Sequence, residues 1–281
     1  SNTSNTDRID YASDTSTATP KGNVHTTRVL GASGNQNFGY WGGGGAPAVA
    51  TVTRLQYAND TSNAVTKGPL TQGKYNISAF GALENNFSVG TMSTTTAFRV
   101  DWQYGYITQG YVPTPIASSI SRIDFSNDGV LQSFRSNTTI ARYDPQGTGS
   151  KTHGYIQGGA TPGVVSSTER FSYANDTATT VTAGNGTITR ETGSAVSTAD
   201  YGYFGGGTGA LSSVDRLTFS NDTTALVTKG PLSSPRYYPS ANSNADYGYF
   251  AGGGPGPYST IDRIDFANDT VQAPQVCSLA N

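Results

Sequence analysis

A four-residue phrase that begins with arginine and ends in an aromatic residue recurs along the chain. It reads RIDY, RLQY, RIDF, RFSY, RLTF and RIDF, and its copies begin at Arg8, Arg54, Arg122, Arg170, Arg216 and Arg263. Four of the five intervals between copies are nearly equal, and each copy runs into a polar turn such as Asn221-Asp222-Thr223. Such a period is typical of proteins built from stacked supersecondary units. The repeat therefore constrains the architecture more than any single residue does.

Two further features recur at fixed distances from this phrase. A cation follows each of the first five turns at one constant spacing, at Arg28, Lys74, Arg142, Arg190 and Arg236. A strand rich in glycine and aromatic residues comes next at a nearly constant spacing, beginning at Gly39, Gly154, Gly202 and Gly248, with a worn copy at residues 86–91. Together with the arginine phrase and the Thr/Val segment after each turn, these features give four short strand candidates per unit.

The composition favours strands and turns over helices. The 281 residues include three Glu, five Lys and one Met, which are strong helix formers, against 17 Tyr, 11 Phe and 35 Gly. Four strands in each unit of about 40–50 residues is the arrangement of a β-propeller blade. We therefore predict an all-β propeller with four-stranded antiparallel blades, formed as a single domain by residues 1–281.

The long interval between Arg54 and Arg122 bears on the number of blades. Arg99 follows Arg54 at nearly the usual spacing, in a phrase that imitates RIDF, and Gly105 begins another glycine strand. We interpret residues 99–111 as a truncated sixth repeat; a loop insertion between Lys74 and Gly105 is the alternative. The predicted units are residues 8–45, 54–91, 99–111, 122–159, 170–207 and 216–254, with a closing strand at 263–274. This interpretation predicts six blades, and five is the alternative count.

The pattern resembles the kelch family of β-propellers. Kelch blades carry a double glycine at the end of the second strand, an aromatic third strand that ends in a polar turn, and an arginine before the next blade. The matching residues are Gly205-Gly206, Arg216 to Phe219 with Asn221-Asp222, and Arg236. The chain departs from the family in having Thr and Val where kelch repeats carry Trp on the fourth strand. The wording of the repeat is also similar to kelch-like arrays in tail-fibre and virion proteins of marine cyanophages.

This resemblance implies a non-enzymatic structural or adhesion module at a virion surface or in the extracellular space. Its partners would be a host-surface glycan or protein and other virion or fibre subunits. A secreted multivalent lectin or extracellular matrix protein is the alternative, and a glycosidase is a third. Equivalent sugar sites in several blades would favour the lectin, whereas binding confined to irregular positions would favour the adhesion module.

The repetition of the arginines indicates their role. Eleven of the twelve arginines occupy the two repeated positions, whereas a catalytic residue is expected to be singular. We expect an architectural role, in which guanidinium groups bind carbonyls or carboxylates between neighbouring blades, with ligand binding as the alternative. The residues assigned to this role are Arg8, Arg54, Arg122, Arg170, Arg216 and Arg263, together with Arg28, Arg142, Arg190 and Arg236.

Several other function classes lack their sequence features. The net charge is −2 and no basic stripe is present, so we expect no nucleic-acid binding. Every apolar run is much shorter than a membrane-spanning helix requires, so we expect no membrane insertion. The single Cys277 excludes a multi-cysteine metal site, and we expect no metal, no cofactor and no catalytic residues. A glycosidase needs two or three carboxylates on the axis, and Glu84, Glu169 and Glu191 are the only glutamates. Glu84 is the best single candidate, but it has no evident partner other than Asp101.

Residues that break the repeat are candidates for ligand contact, because repeated positions serve the fold. These candidates are Trp102, Tyr104, Tyr111 and Tyr258. The alternative is that their rings only fill space. The chain also carries one more arginine phrase than complete units. We expect the extra copy, at residues 8–11, to be bound within its own chain, with donation to a neighbouring subunit as the alternative.

Overall fold

Short antiparallel strands dominate the described part of the chain. The computed structural model describes residues 6–24, 31–45, 47–81, 103–112, 116–256 and 258–280. Helical structure in these ranges is confined to 3-10 turns at Tyr11–Ser13, Tyr57–Asn59, Phe219–Asn221 and Phe266–Asn268. The scarcity of Glu, Lys and Met and the 35 Gly residues disfavour longer helices.

The strands form one two-stranded sheet, five four-stranded sheets and one small hairpin in the described residues. The first sheet pairs β1 (Asp7–Arg8) with β2 (Thr19–Pro20). Blade 1 contains β3 (Gly31–Gly34), β4 (Phe38–Gly42), β5 (Val52–Gln56) and β6 (Val65–Lys67). Blade 2 contains β7 (Ser78–Gly81), β8 (Tyr104–Gly110), β9 (Ala117–Asp124) and β10 (Ser133–Asn137).

Blade 3 begins with β11 (Gln146–Gly149) and β12 (His153–Gln157), which the hairpin of β13 (Ala160–Thr161) and β14 (Gly163–Val164) connects to β15 (Thr168–Ser172) and β16 (Val181–Ala183). Blade 4 contains β17 (Ser194–Ser197), β18 (Tyr201–Gly205), β19 (Val214–Thr218) and β20 (Val227–Lys229). Blade 5 contains β21 (Ser240–Ser243), β22 (Tyr247–Ala251), β23 (Thr260–Asp265) and β24 (Gln275–Ser278). In every blade the strands are hydrogen-bonded in chain order.

The predicted all-β propeller of four-stranded antiparallel blades is confirmed, and the described residues form five complete blades. The described residues thus show the alternative count of five rather than the preferred count of six, and residues 103–111 do not form a separate repeat. Their glycine strand is β8, which pairs with β7 on one side and β9 on the other. Strand β7 needs a glycine strand to complete its sheet, and β8 supplies it. The chain between β7 and β8 is therefore an insertion within blade 2, and the copy at residues 86–91 and Arg99 lie outside the described residues.

The blades are arranged with their first strands around a common axis. Strand β3 contacts β7, β7 contacts β11, β11 contacts β17, and β17 contacts β21. The apolar core is divided among the interfaces between consecutive blades; at one of them Tyr203 and Val214 of blade 4 pack with Phe250 and Ile264 of blade 5. The predicted repeat units accordingly run from the third strand of one blade to the first or second strand of the next.

An aspartate in each polar turn joins its blade to the preceding one. Asp269 of blade 5 accepts hydrogen bonds from the Tyr203 hydroxyl at 3.0 Å and from Arg216 of blade 4 at 2.7 Å, and Lys229 lies 3.0 Å away. We call this arrangement the turn clamp. The equivalent clamps are Tyr40 and Arg54 on Asp128, Tyr106 and Arg122 on Asp176, Tyr155 and Arg170 on Asp222, and Tyr249 and Arg263 on Asp14.

The second arginine position lies in the connection between two blades: the Arg236 amide donates to the Leu211 carbonyl of blade 4 at 3.1 Å, whereas its side chain bonds to blade 5. Arg236 is fully buried, and its guanidinium donates to the carbonyls of Gly252 and Thr260 at 3.1 Å each and lies 3.1 Å from Asp262. The bonded groups all belong to blade 5. Equivalent pairs are Arg142 with Glu169 in blade 3 and Arg190 with Asp215 in blade 4, and Arg28 lies outside the described residues.

Lys74 occupies this second position in blade 2, where Ser121 stands in place of the acid. Its ammonium group is fully buried and reaches the Ser119 carbonyl at 3.2 Å. Burial lowers the pKa of Lys74 from its ordinary value of 10.5 to about 7. Between about pH 7 and pH 10.5, the folded state therefore binds fewer protons than the unfolded state.

We expect the free energy of unfolding to fall by up to about 1.4 kcal/mol per pH unit as the pH is lowered from 9 to 7.5. We expect the Lys74→Met variant to lose this pH-dependent slope in the free energy of unfolding. Urea unfolding at several pH values measures it. Lys151→Met, at an exposed position, is the control and should keep the slope. Equal slopes in the wild type and Lys74→Met would contradict the prediction.

Candidate functional site at the propeller axis

Four residues meet around the propeller axis where each chain segment enters its first strand. They lie two positions after the buried cations, and we call them the axial ring: Asn76, Asp144, Thr192 and Tyr238. Their backbones form a chain of three cross-blade hydrogen bonds: the amides of Asp144, Thr192 and Tyr238 each donate to the carbonyl of the preceding member, at 2.9, 3.1 and 2.6 Å. The ring therefore unites residues of blades 2, 3, 4 and 5.

All four members adopt the left-handed backbone conformation, with φ values of 56°, 54°, 56° and 52°. Asn and Asp enter this region readily, whereas Thr192 and Tyr238 do so at a cost of about 1 kcal/mol each. The cross-blade hydrogen bonds offset this strain. The conformation turns the chain from the buried cation into the first strand, and the side chains of Asn76 and Tyr238 both reach Asp144.

Asp144 is the charged centre of the ring. It accepts a hydrogen bond from the Asn76 amide at 2.8 Å and one from the Tyr238 hydroxyl at 3.4 Å, so groups from three blades meet at one carboxyl. Burial, with the nearby Glu191 carboxylate, raises the pKa of Asp144 to about 7. At neutral pH this carboxyl therefore exists in both protonation states, and it can donate as well as accept a hydrogen bond.

Tyrosine rings surround Asp144, and we call the following set the tyrosine rim: Tyr75, Tyr111, Tyr143, Tyr237 and Tyr238. The centroids of Tyr75 and Tyr111 are 5.1 Å apart, and those of Tyr111 and Tyr143 are 6.0 Å apart. Tyr238 is 47% exposed, and the other four are partly exposed. The rim thus presents aromatic faces and hydroxyl groups to solvent around a buried acid.

Gln146 adds an unsatisfied amide next to the ring. Its side chain is buried, and neither its Nε2 nor its Oε1 atom has a hydrogen-bond partner. The amide lies against Gly193, where a Cβ atom would come within 1.9 Å of Nε2. An unpartnered buried amide costs about 1–3 kcal/mol. Water or a polar ligand at the axis would remove this cost.

The structure brings some of the predicted ligand residues to this site and separates others. Tyr111 belongs to the rim, and Tyr258 lies 5.8 Å from the Arg236 guanidinium on the loop after β22. Tyr104 lies at the opposite end of β8 from Tyr111, roughly 20 Å away. Trp102 lies outside the described residues.

Tyr104 does not break the repeat. It stacks on Arg122 at 4.0 Å, and equivalent contacts in other blades join Phe38 to Arg54, Tyr201 to Arg216 and Tyr247 to Arg263. Sequence reasoning also missed Asp144, Tyr238 and Gln146. A column-by-column comparison of the repeats could have found the axial ring, since Asn, Asp, Thr and Tyr share one position.

The acids named for a glycosidase are scattered. Glu169 is buried in an ion pair with Arg142 at 2.8 Å, and Glu84 and Asp101 lie outside the described residues. Glu191 lies near Asp144 and is half-buried. Among the described residues, no three His, Cys, Asp or Glu side chains come together as a metal site would require. Nor do these residues include a helix long and apolar enough to cross a membrane.

No protein-family model and no curated protein matches the chain.

Proposed function

We propose that the protein is a non-enzymatic adhesion module of kelch-like propeller type, carried at a virion surface or in the extracellular space, whose axial site binds a host-surface glycan. The composition of that site supports the proposal: a tyrosine rim around Asp144 with the unpartnered Gln146 amide beside it. Sugars present apolar C–H faces together with hydroxyl groups. The aromatic rings of the rim would pack against the C–H faces, and the mixed donors and acceptors would hydrogen-bond with the hydroxyl groups. Other virion or fibre subunits would contact the remaining surfaces.

The variation within the axial ring favours one site per chain over several equivalent ones. A multivalent lectin would repeat its binding residues in each blade, but the ring has a different residue in each of blades 2 to 5. Asp144 and Tyr238 are 94 positions apart and contribute to the same site. The adhesion module therefore predicts one glycan per chain, and the lectin predicts about one per blade.

We expect Tyr111→Ala and Tyr238→Ala each to weaken glycan binding by tenfold or more, because each removes an aromatic face from the rim. A glycan array identifies the ligand, and calorimetric titration then gives its affinity and stoichiometry. Phe134→Ala is the matched control, because Phe134 is 52% exposed on β10. Binding that is unchanged in both folded tyrosine variants would reject the axial site.

Hydrolysis of the same ligand is a second candidate, favoured by the nearness of Glu191 to Asp144 and the raised pKa of Asp144. Glycosidases use a carboxyl group kept protonated near neutral pH together with a second carboxylate. Incubation of the array-selected glycan with the wild type, Asp144→Asn and Glu191→Gln separates the two functions. Release of sugar by the wild type that both variants lose would establish the enzyme.

A further inference from the structure

Asp144 differs from the other buried acids of the described residues in its charge environment. Each of the others forms a salt bridge with an arginine: Asp14, Asp128, Glu169, Asp176, Asp215, Asp222, Asp262 and Asp269. Asp144 is just as buried, at 7% exposure, and within the described part of the chain it accepts hydrogen bonds from neutral side chains only. A buried carboxylate without a counter-charge is unfavourable.

The two cations nearest to Asp144 in the repeat are bound to other acids. Arg142 donates to Glu169 at 2.8 Å, and the Arg190 guanidinium lies 3.6 Å from Asp215. The neutral groups that bond to Asp144 solvate its carboxylate but do not balance its charge. A cationic ligand at the axis would supply the missing charge.

Glu191 adds a second carboxylate at the same place. It directly follows a buried cation, and at this position blades 2, 3 and 5 have Tyr75, Tyr143 and Tyr237 of the tyrosine rim. Blade 4 therefore contributes an acid where those blades contribute an aromatic ring. The charge of Glu191 acts on Asp144, and repulsion between two carboxylates disfavours the ionisation of both. A cation between them would relieve this repulsion.

The tyrosine rim suits a cationic group as well. The face of an aromatic ring attracts an ammonium group, and the attraction is stronger where water is excluded. Tyr111 lies between Tyr75 and Tyr143, with ring centroids 5.1 and 6.0 Å from its own, and the centroids of Tyr237 and Tyr238 are 5.9 Å apart. The hydroxyl groups of these rings are also acceptors for the N–H bonds of an amine.

We propose that the glycan bound at the axial site contains an amino sugar, whose protonated amine lies between Asp144, Glu191 and the tyrosine rim. This inference rests on the proposed function, because it names the class of glycan that the adhesion module binds. The ammonium group donates to the two carboxylates, and the C–H face of the sugar packs on the rim. An N-acetylated sugar has an uncharged amide in place of the ammonium group, so the site discriminates against it.

Titration with D-glucosamine, D-galactosamine and D-mannosamine, each beside its N-acetyl derivative, tests the inference by calorimetry at pH 7. We expect at least one free amine to bind about tenfold more tightly than its N-acetyl derivative, because hydrogen bonds between charged groups are the stronger ones. Asp144→Asn removes the charge but keeps an acceptor for Asn76 and Tyr238, and it should abolish this preference. Asp200→Asn, at an exposed position between β17 and β18, is the matched control and should keep it.

Tetramethylammonium, whose charge is permanent, separates titration of the site from titration of the ligand. The titratable side chains that act on Asp144 are Glu191 of blade 4, Tyr75 of blade 2 and Tyr238 of blade 5. Burial raises the pKa of both tyrosines, so they stay neutral below pH 8. The pKa of Asp144 is raised to about 7, so its charge is lost as the pH falls from 8 to 6. The affinity for tetramethylammonium should fall over this range in the wild type and change less in Asp144→Asn.

Failure of this inference and failure of the proposed function give different results. N-acetyl sugars that bind as tightly as the free amines, in a manner that Tyr238→Ala weakens, would overturn the amino sugar and leave the axial glycan site in place. A preference for free amines that Asp144→Asn retains would also overturn the inference. So would binding of tetramethylammonium without binding of any amino sugar, which would indicate a peptide amine as the ligand. If none of the probes bound the folded chain, the inference would fail, and the glycan array would decide the proposed function separately.

Discussion

Gly230→Ala is expected to destabilise the propeller by about 3 kcal/mol or more, at the upper end of what overpacking costs. A Cβ atom at this position would lie 1.7 Å from the backbone carbonyl oxygen of Val271 in the next blade. Backbone cannot rotate out of the way as a side chain can, so blades 4 and 5 would have to separate. The separation would also lengthen the hydrogen bond that the Gly230 amide donates to the Asp269 carbonyl, and it would weaken the Lys229 contact of the turn clamp.

Gly129→Ala is the matched control for this substitution. Nothing lies within 4 Å of a Cβ atom at Gly129, and the other turns carry Thr at the same position. Its effect should stay within about 0.5 kcal/mol. Urea unfolding of the two variants beside the wild type gives the comparison. Similar stabilities for both variants would show that the contact between Gly230 and Val271 does not limit how closely the blades approach.

The fold was predictable because each blade is encoded locally. The arginine phrase, the polar turn, the cation and the glycine strand recur in nearly every unit, and neighbouring strands in a blade are also neighbours in sequence. The number of blades was not predictable in the same way. Strand β7 pairs with β8 across an insertion: the repeat spacing pointed to residues 86–91 as its partner, whereas the glycine strand that begins at Gly105 supplies it.

The roles of the two arginine positions show a second limit. Both repeat with the same period, so the sequence predicted one architectural role for both. Arg216 reaches the aspartate in the turn of the next blade, whereas Arg236 reaches carbonyls and a buried aspartate inside the next blade. The difference depends on the direction that each side chain takes, and the spacing of the repeats carries no information on that.

The axial site was the least predictable part, because it exists only once the ring has formed. The irregular aromatic positions predicted Tyr111 as a site residue, but they also predicted Tyr104, which packs on a repeated arginine. Asp144 and Tyr238 sit at an ordinary repeat position, and their importance comes from the axis that brings blades 3 and 5 together. Symmetry in the sequence therefore conceals a site where the equivalent residues of different blades converge.

Arg236→Met is expected to destabilise the protein by about 3–5 kcal/mol, since it removes one partner of a fully buried ion pair. Asp262 would keep its bonds from the Ser233 amide at 2.7 Å and hydroxyl at 2.8 Å but lose its charge partner. The carbonyls of Gly252 and Thr260 would lose their guanidinium donor. Arg216→Met should destabilise the protein less. The Arg216 side chain is 23% exposed in its clamp, so solvent screens the charge that this substitution removes.

Blade 2 has Lys74 and Ser121 where blade 5 has Arg236 and Asp262. This natural difference provides a variant that separates the loss of charge pairing from the loss of packing. The double variant Arg236→Lys/Asp262→Ser transfers that arrangement to blade 5, so no carboxylate is left buried without a cation. We expect it to be more stable than Arg236→Met in urea unfolding at pH 8, where a buried lysine with a pKa near that of Lys74, about 7, is largely neutral. A double variant that is less stable than Arg236→Met would mean that the carbonyl contacts of the guanidinium fork, rather than the neutralisation of Asp262, hold the blade together.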